Sequence, residues 1–201
     1  MEQILKEIGS TSIYAHPALF AKRFSLKKGN MVYTGMCLSQ KDLETRFGVK
    51  FHLYEEITEI SPSVYMTGLV PFSNGIETIS DRFKVESAGT LNQDTFLDDN
   101  SLVLDTSKGL VVILGCAHRG VVNILTHVKN KFQKPIWAII GGTHLHKVNQ
   151  QRFYFTLDYI RNENIQLIAP AHCTGIERIF ELKNYFGDKV QPAFCGETFY
   201  I

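Results

Sequence analysis

The sequence predicts an α/β fold, and three observations carry that prediction. Strand, polar turn and helix follow one another three times between residues 110 and 187. The strand segments there, LVVILG, PIWAIIGG and IQLIAP, are apolar throughout, as strands covered on both faces of a parallel sheet are. Of 201 residues, 44% are hydrophobic, enough to fill a core, so residues 1–201 are expected to form a single domain.

Taken in order, EQILKEI reads as a helix stopped at Gly9, and SIYA as a short strand. HPALFAKRF has Pro17 in what would be the first turn of a helix. KKGN is a turn before the strand MVYTG, and Ser39 with Asp42 is spaced to cap the helix KDLETRF, which Gly48 closes. VKFHLYEE and SVYMTG read as strands at an antiparallel end of the sheet, and residues 71–100 as a long polar loop. SLVLD, the turn TSKG and LVVILG form a hairpin. In RGVVNILTHVKNKF, Val121, Ile124, Leu125, Val128 and Phe132 recur at three- and four-residue spacing, one face of a helix. QQRFYFTLDYIRNEN is the next helix, through Phe153, Leu157 and Ile160. TGIERIFELKNYFG is the last, with Thr174 and Glu177 spaced as a capping box, and QPAFCG is a final strand.

Charge excludes some partners. Twenty-one Lys and Arg against twenty Asp and Glu leave a net charge of +1 with no basic stripe, which argues against nucleic acid and anionic membrane surfaces. No apolar run reaches the roughly 20 residues of a membrane span, and the opening MEQILKEIGS carries two Glu where a signal peptide has an apolar core, so the expected location is cytoplasmic. Cys37, Cys116, Cys173 and Cys195 form no CxxC pair and are expected to be reduced thiols.

The chemistry concentrates at three strand ends. His118, His144 and His172 each stand one to three residues beyond an apolar strand, in LGCAHRG, IIGGTHLH and APAHCTG. In an α/β sheet such ends meet along one rim, and neutral imidazole is a common zinc ligand, with about three protein ligands typical of a catalytic site. Gly115, Gly141, Gly142 and Gly175 lie beside them and would let the backbone come close to a ligand. His146 competes with His144 for its role, and His52 and His127 are expected at surface or packing positions. His16, in YAHPAL, is placed on the substrate side or in a structural turn. Cys116 and Cys173 are expected to point away from the cleft as small core-filling thiols, a Cys/His nucleophile pair being the enzymatic rival.

The segments GLVVILGCAHRGVVNIL, IIGGTHL and PAHCTG together resemble the second half of the metallo-β-lactamase superfamily. More narrowly, the chain resembles the branch of dihydropterin-aminobenzene-phosphate synthase-like metal-dependent hydrolases. MTGLVPFSNGIE is similar to that branch's Gly-x-Ile-Pro-Arg…Glu segment, without the Arg, and FLDDNSLVLDTSKGLVV to its Asp-Asp-x-x-Leu hairpin. The resemblance implies an αββα sandwich with a dinuclear site of zinc, manganese or iron. It implies that His118 completes the first metal site and His172 the second, with His144 standing where the superfamily has a bridging Asp.

The superfamily's His-x-His-x-Asp-His motif occurs nowhere in these 201 residues. The resemblance therefore implies an N-terminally truncated sandwich, lacking its first strands and that motif's ligands, with sub-stoichiometric metal. The implied activity is hydrolysis of a small, phosphorylated or pterin-like substrate by a metal-activated water, impaired in this chain alone. The alternative is a catalytically silent remnant or a small-molecule binding module of the same fold. Lys22 and Arg23 are candidates for a substrate phosphate. The expected partner besides substrate is a second copy of the chain or a complementing N-terminal fragment.

Overall fold

A computed structural model describes residues 2–201. Its strands are β1 (Ser12–Ala15), β2 (Arg23–Lys27), β3 (Asn30–Tyr33), β4 (Lys50–Leu53), β5 (Thr58–Ser61), β6 (Val64–Met66), β7 (Phe83–Ser87), β8 (Thr90–Gln93), β9 (Ser101–Thr106), β10 (Gly109–Leu114), β11 (Ile136–Gly141) and β12 (Leu167–Pro170). Its α-helices are α1 (Glu2–Ile8), α2 (Gln40–Phe47), α3 (Val121–Phe132), α4 (Gln150–Asn162) and α5 (Ile176–Phe186). The α/β class expected from the sequence is what the chain adopts. It divides into two compact units, Met1–Glu55 with Ile79–Asp98, and Glu56–Thr78 with Asp99–Ile201.

In the first unit β1 pairs with β4 in parallel, and β3, β2, β7 and β8 form an antiparallel sheet. Here the structure corrects several expectations. The segment 50–53 joins β1 rather than an antiparallel end of the larger sheet. HPALFAKRF is not one helix: Pro17–Phe20 is a single 3-10 turn, and Arg23 onward is strand. The loop expected at 71–100 contains the β7–β8 hairpin. Helix α2 is capped as its sequence predicts, Ser39 and Asp42 forming a reciprocal capping box and Gly48 a left-handed terminus.

The second unit is built on a six-stranded sheet in the order β12-β11-β10-β9-β6-β5. Strands β10, β11 and β12 are parallel neighbours, and β9, β6 and β5 continue the sheet antiparallel. Leu110, Val112 and Leu114 of β10 pack on one face against Val121, Ile124, Leu125 and Val128 of α3, with Phe153 and Leu157 of α4 and Leu182 of α5. Val111, Ala138 and Leu167 form a smaller cluster with Ile113, Trp137 and Phe199 around it. An irregularity between Leu110 and Val111, opposite Ile136 and Ala138, shifts the register of β11 by one residue. That bulge explains why Ile136 and Ile139, three apart, share a core cluster where strict alternation would separate them.

The expected final strand does not form a ladder. Val190 makes an isolated bridge to Ile168, and the amides of Gln191 and Ala193 bond the carbonyls of Ile168 and Pro170. Pro192 has no N–H to extend the pairing. The structural consequence that matters most lies at the other end of β12. Leu114 is paired with Gly141, and Gly141 with Pro170, so three strands finish side by side. With strands about 4.8 Å apart, their loops start within roughly 10 Å of one another.

Candidate metal centre

The first of these loops, 115–120, is held from three directions. Asp99 Oδ2 accepts the Arg119 amide at 2.8 Å, and Arg119 Nε donates to the Val70 carbonyl while its guanidinium lies over the Phe72 ring. Helix α3 has no capping side chain of its own, because residue 120 is glycine with φ +101°. Buried Glu77 supplies the cap instead, its carboxylate accepting the amides of Val122 at 3.0 Å and Asn123 at 2.8 Å. A carboxylate there also faces the positive end of the helix. Any side chain at Gly120 would fall onto that carboxylate, which is why the position is glycine.

The second and third loops are tied to the first and to each other. The Gly142 amide bonds the Gly115 carbonyl at 3.1 Å, and the Ala171 amide bonds the Gly141 carbonyl at 2.8 Å. The buried hydroxyls of Thr143 and Thr174 are 2.9 Å apart. Thr174 is thereby used across loops; α5 starts at Gly175 without a side-chain cap, so the expected Thr174–Glu177 box does not form. His172–Thr174 is a single 3-10 turn.

On this frame the Cys116 Sγ lies 3.0 Å from His172 Nε2. Cys173 Sγ lies 3.4 Å from the Cys116 carbonyl and accepts the His144 amide at 3.3 Å. The ligand atoms of Cys116, His172 and Cys173 all lie within 4.8 Å of one another. The rings of His118 and His144 are adjacent, 4.3 Å between centroids. Hydrogen bonding to Cys173, to His118 and then to His172 lowers the Cys116 thiol to about 3 against an opposing desolvation by burial. The thiolate of Cys116 in turn, with burial, pushes the Cys173 thiol up. Of the pair, Cys116 is the thiolate and Cys173 keeps the proton.

Sequence reasoning placed Cys116 and Cys173 away from the cleft, and the structure corrects this. Both sit on the rim among the histidines. Their signal was present in the sequence: each cysteine is one or two positions from a strand-end histidine. The roles of Glu77 and Asp99 were not foreseen, although the segments containing them had been singled out.

The remaining expected residues have other surroundings. His16 caps the 3-10 turn at Pro17–Phe20, its Nδ1 accepting the Ala18 amide at 3.0 Å. Lys22, largely exposed, pairs with Glu86 at 3.2 Å. Arg23 is buried between Asp94 and Asp98 at 2.8 and 2.7 Å. His52 stacks on Tyr14, and His127 reaches the Thr67 carbonyl. His146 contributes its amide to the Cys173 carbonyl.

The donor set suits a cation that accepts nitrogen and sulfur. Glycine at 142 keeps the space open, since a Cβ there would come 2.5 Å from His172 Cε1 and 2.6 Å from Cys173 Sγ.

Three neighbouring parallel strands of a mixed sheet present the histidines from their ends, and the chain has the fold of the metallo-β-lactamase superfamily. The crystal structure of a metal-dependent hydrolase of the β-lactamase superfamily superposes with a TM-score of 0.84 at 26% identity, covering 98% of this chain and 73% of that one. In sequence, the chain is similar to the 7,8-dihydropterin-6-methyl-4-(beta-D-ribofuranosyl)-aminobenzene-5'-phosphate synthase of Methanocaldococcus jannaschii, 26% identical over 200 residues. That match takes in 96% of this chain and 65% of the relative, so the chain spans about two thirds of the curated protein's length. No family model matches the chain.

Proposed function

We propose that this chain is a metal-dependent hydrolase of the metallo-β-lactamase fold, acting on a small phosphorylated or pterin-like substrate and weakly active by itself. The observation that carries the reading is the convergence of three strand-end loops, which puts His118 beside His144 and His172 beside Cys116. The sequence relative is called a synthase and the structural relative a hydrolase, so the two names share a fold and differ in reaction. A bound cation would supply Lewis acidity and a water ionised near neutral pH.

The protein's part is to hold and orient. His118, His144 and His172 are the imidazoles we assign to metal, and the threonine pair at 143 and 174 ties together the loops that carry His144 and His172. Zinc fits the neighbouring sulfurs better than manganese, which favours oxygen ligands. His16, Lys22 and Arg23, expected on the substrate side, belong to the first unit and have partners within it. An intracellular location, where such thiols stay reduced, belongs to the same proposal.

Weak activity follows from the donors at hand. The metal-capable cluster among the described residues contains two thiols and one imidazole, with no carboxylate to orient a hydroxide. The same observation favours the second reading, a binding module that keeps the cleft without the chemistry. A second copy of the chain, or a separate polypeptide, would supply the remaining ligands in the active form. The test is hydrolysis of bis(p-nitrophenyl) phosphate by the zinc-loaded chain. A slow rate abolished by chelator, restored by zinc and lost in His118→Ala and His172→Ala supports the hydrolase. Metal binding with no turnover in any oligomeric state supports the binding module, and a rate indifferent to chelator overturns both.

A further inference from the structure

We infer that Cys116, Cys173 and His172 hold the cation as a sulfur-rich site, selective for thiophilic ions such as zinc and cadmium. The inference rests on the metal-binding reading above and changes what holds the ion, from imidazoles alone to two thiolates and one imidazole.

The geometry is close to that needed. Zinc–sulfur bonds of about 2.3 Å and zinc–nitrogen bonds of about 2.0 Å place donors on one tetrahedron roughly 3.5–4 Å apart. The three ligand atoms here already lie within 4.8 Å of one another, with Cys116 Sγ 3.0 Å from His172 Nε2. Side-chain adjustments of up to about an ångström would bring these separations to those of a common centre. Neither cysteine is buried in the core, and His172 is exposed, so an ion can reach the group from solvent.

The surroundings are those of a prepared site. The His144 amide already donates to Cys173 Sγ at 3.3 Å, a contact that persists when that sulfur is a thiolate and that steadies it as a ligand. Glycine at 142 leaves the space in which a methyl group would strike both His172 and Cys173. As the ion enters, it displaces to solvent any proton still on either thiol, and no electrons are exchanged. Three protein ligands leave one tetrahedral position for water or substrate, the arrangement of an open rather than a purely structural zinc site.

The experiment uses the full chain, kept reduced and stripped of metal, titrated with cobalt and then zinc. Cobalt is expected to give sulfur-to-metal charge-transfer absorption in the near ultraviolet at one ion per chain. Zinc is expected to displace the cobalt and to shield two of the four thiols from a disulfide reagent, leaving Cys37 and Cys195 reactive. Cys116→Ser and Cys173→Ser are expected to lose the charge-transfer band and about 100-fold in affinity, while Cys37→Ser keeps both. The thiol-protection count needs no variant, so a Ser variant that misfolds leaves the inference testable. Cobalt bound without charge transfer, or zinc that shields no thiol, overturns the inference and leaves the imidazole reading standing. No cobalt bound at all overturns both.

Discussion

Glu77 and Gly142 each hold part of the site's frame in place. Glu77 closes the amino end of α3 from 45 residues away, and its buried carboxylate satisfies two amides. Glu77→Ala strands those amides and is expected to cost about 2–4 kcal/mol. Glu77→Gln, which keeps an acceptor but not the charge, should cost less; urea denaturation midpoints of the two variants measure the difference. Gly142→Ala is expected to cost about 1–3 kcal/mol by overpacking. It should also push His172 and Cys173 apart, read out as changed thiol reactivity in the variant. The histidines were legible in the sequence because each follows an unmistakable apolar strand. The cysteines were misread because a small thiol beside an apolar strand more often fills a core. Ala117 is left-handed, φ +54°, and residues 172–174 form a 3-10 turn, so neighbours in these loops do not point to opposite sides.

Elements whose pattern and termini agreed were read correctly. Helix α3 is the clearest, its apolar spacing matching the buried residues Val121, Ile124, Leu125 and Val128. Leu125 is fully buried in the main core, and Leu125→Ala is expected to cost about 2–5 kcal/mol, checked by thermal or chemical melting. The β7–β8 hairpin escaped notice for a specific reason. Its two-residue turn, Ala88-Gly89, has φ of +50° and +76°, the combination usually announced by Asn-Gly or Asp-Gly. Alanine in the first position removed that signal. The missing cap of α5 has a similar origin, since Thr174 has the right spacing but spends its hydroxyl on Thr143.

At the scale of the whole chain, the α/β class was legible in the apolar runs of the strands, while the order of the strands and the division into two units were not. Residues 56–78 belong with the second unit and 79–98 with the first, an interleaving that no composition shift marks. Cation binding should be felt by the entire second unit, because the three loops join three neighbouring strands. Zinc at 100 times its dissociation constant is expected to stabilise the native state by about 2.7 kcal/mol. A melting temperature raised by zinc and returned by chelator checks this; no shift would contradict it. The same joining sets a timetable. Cys116 meets His172 only after 56 more residues have been made. At ribosomal speeds of about 5–20 residues per second that interval is roughly 3–11 s. For that time the nascent chain displays a thiol without the imidazole that will later sit beside it.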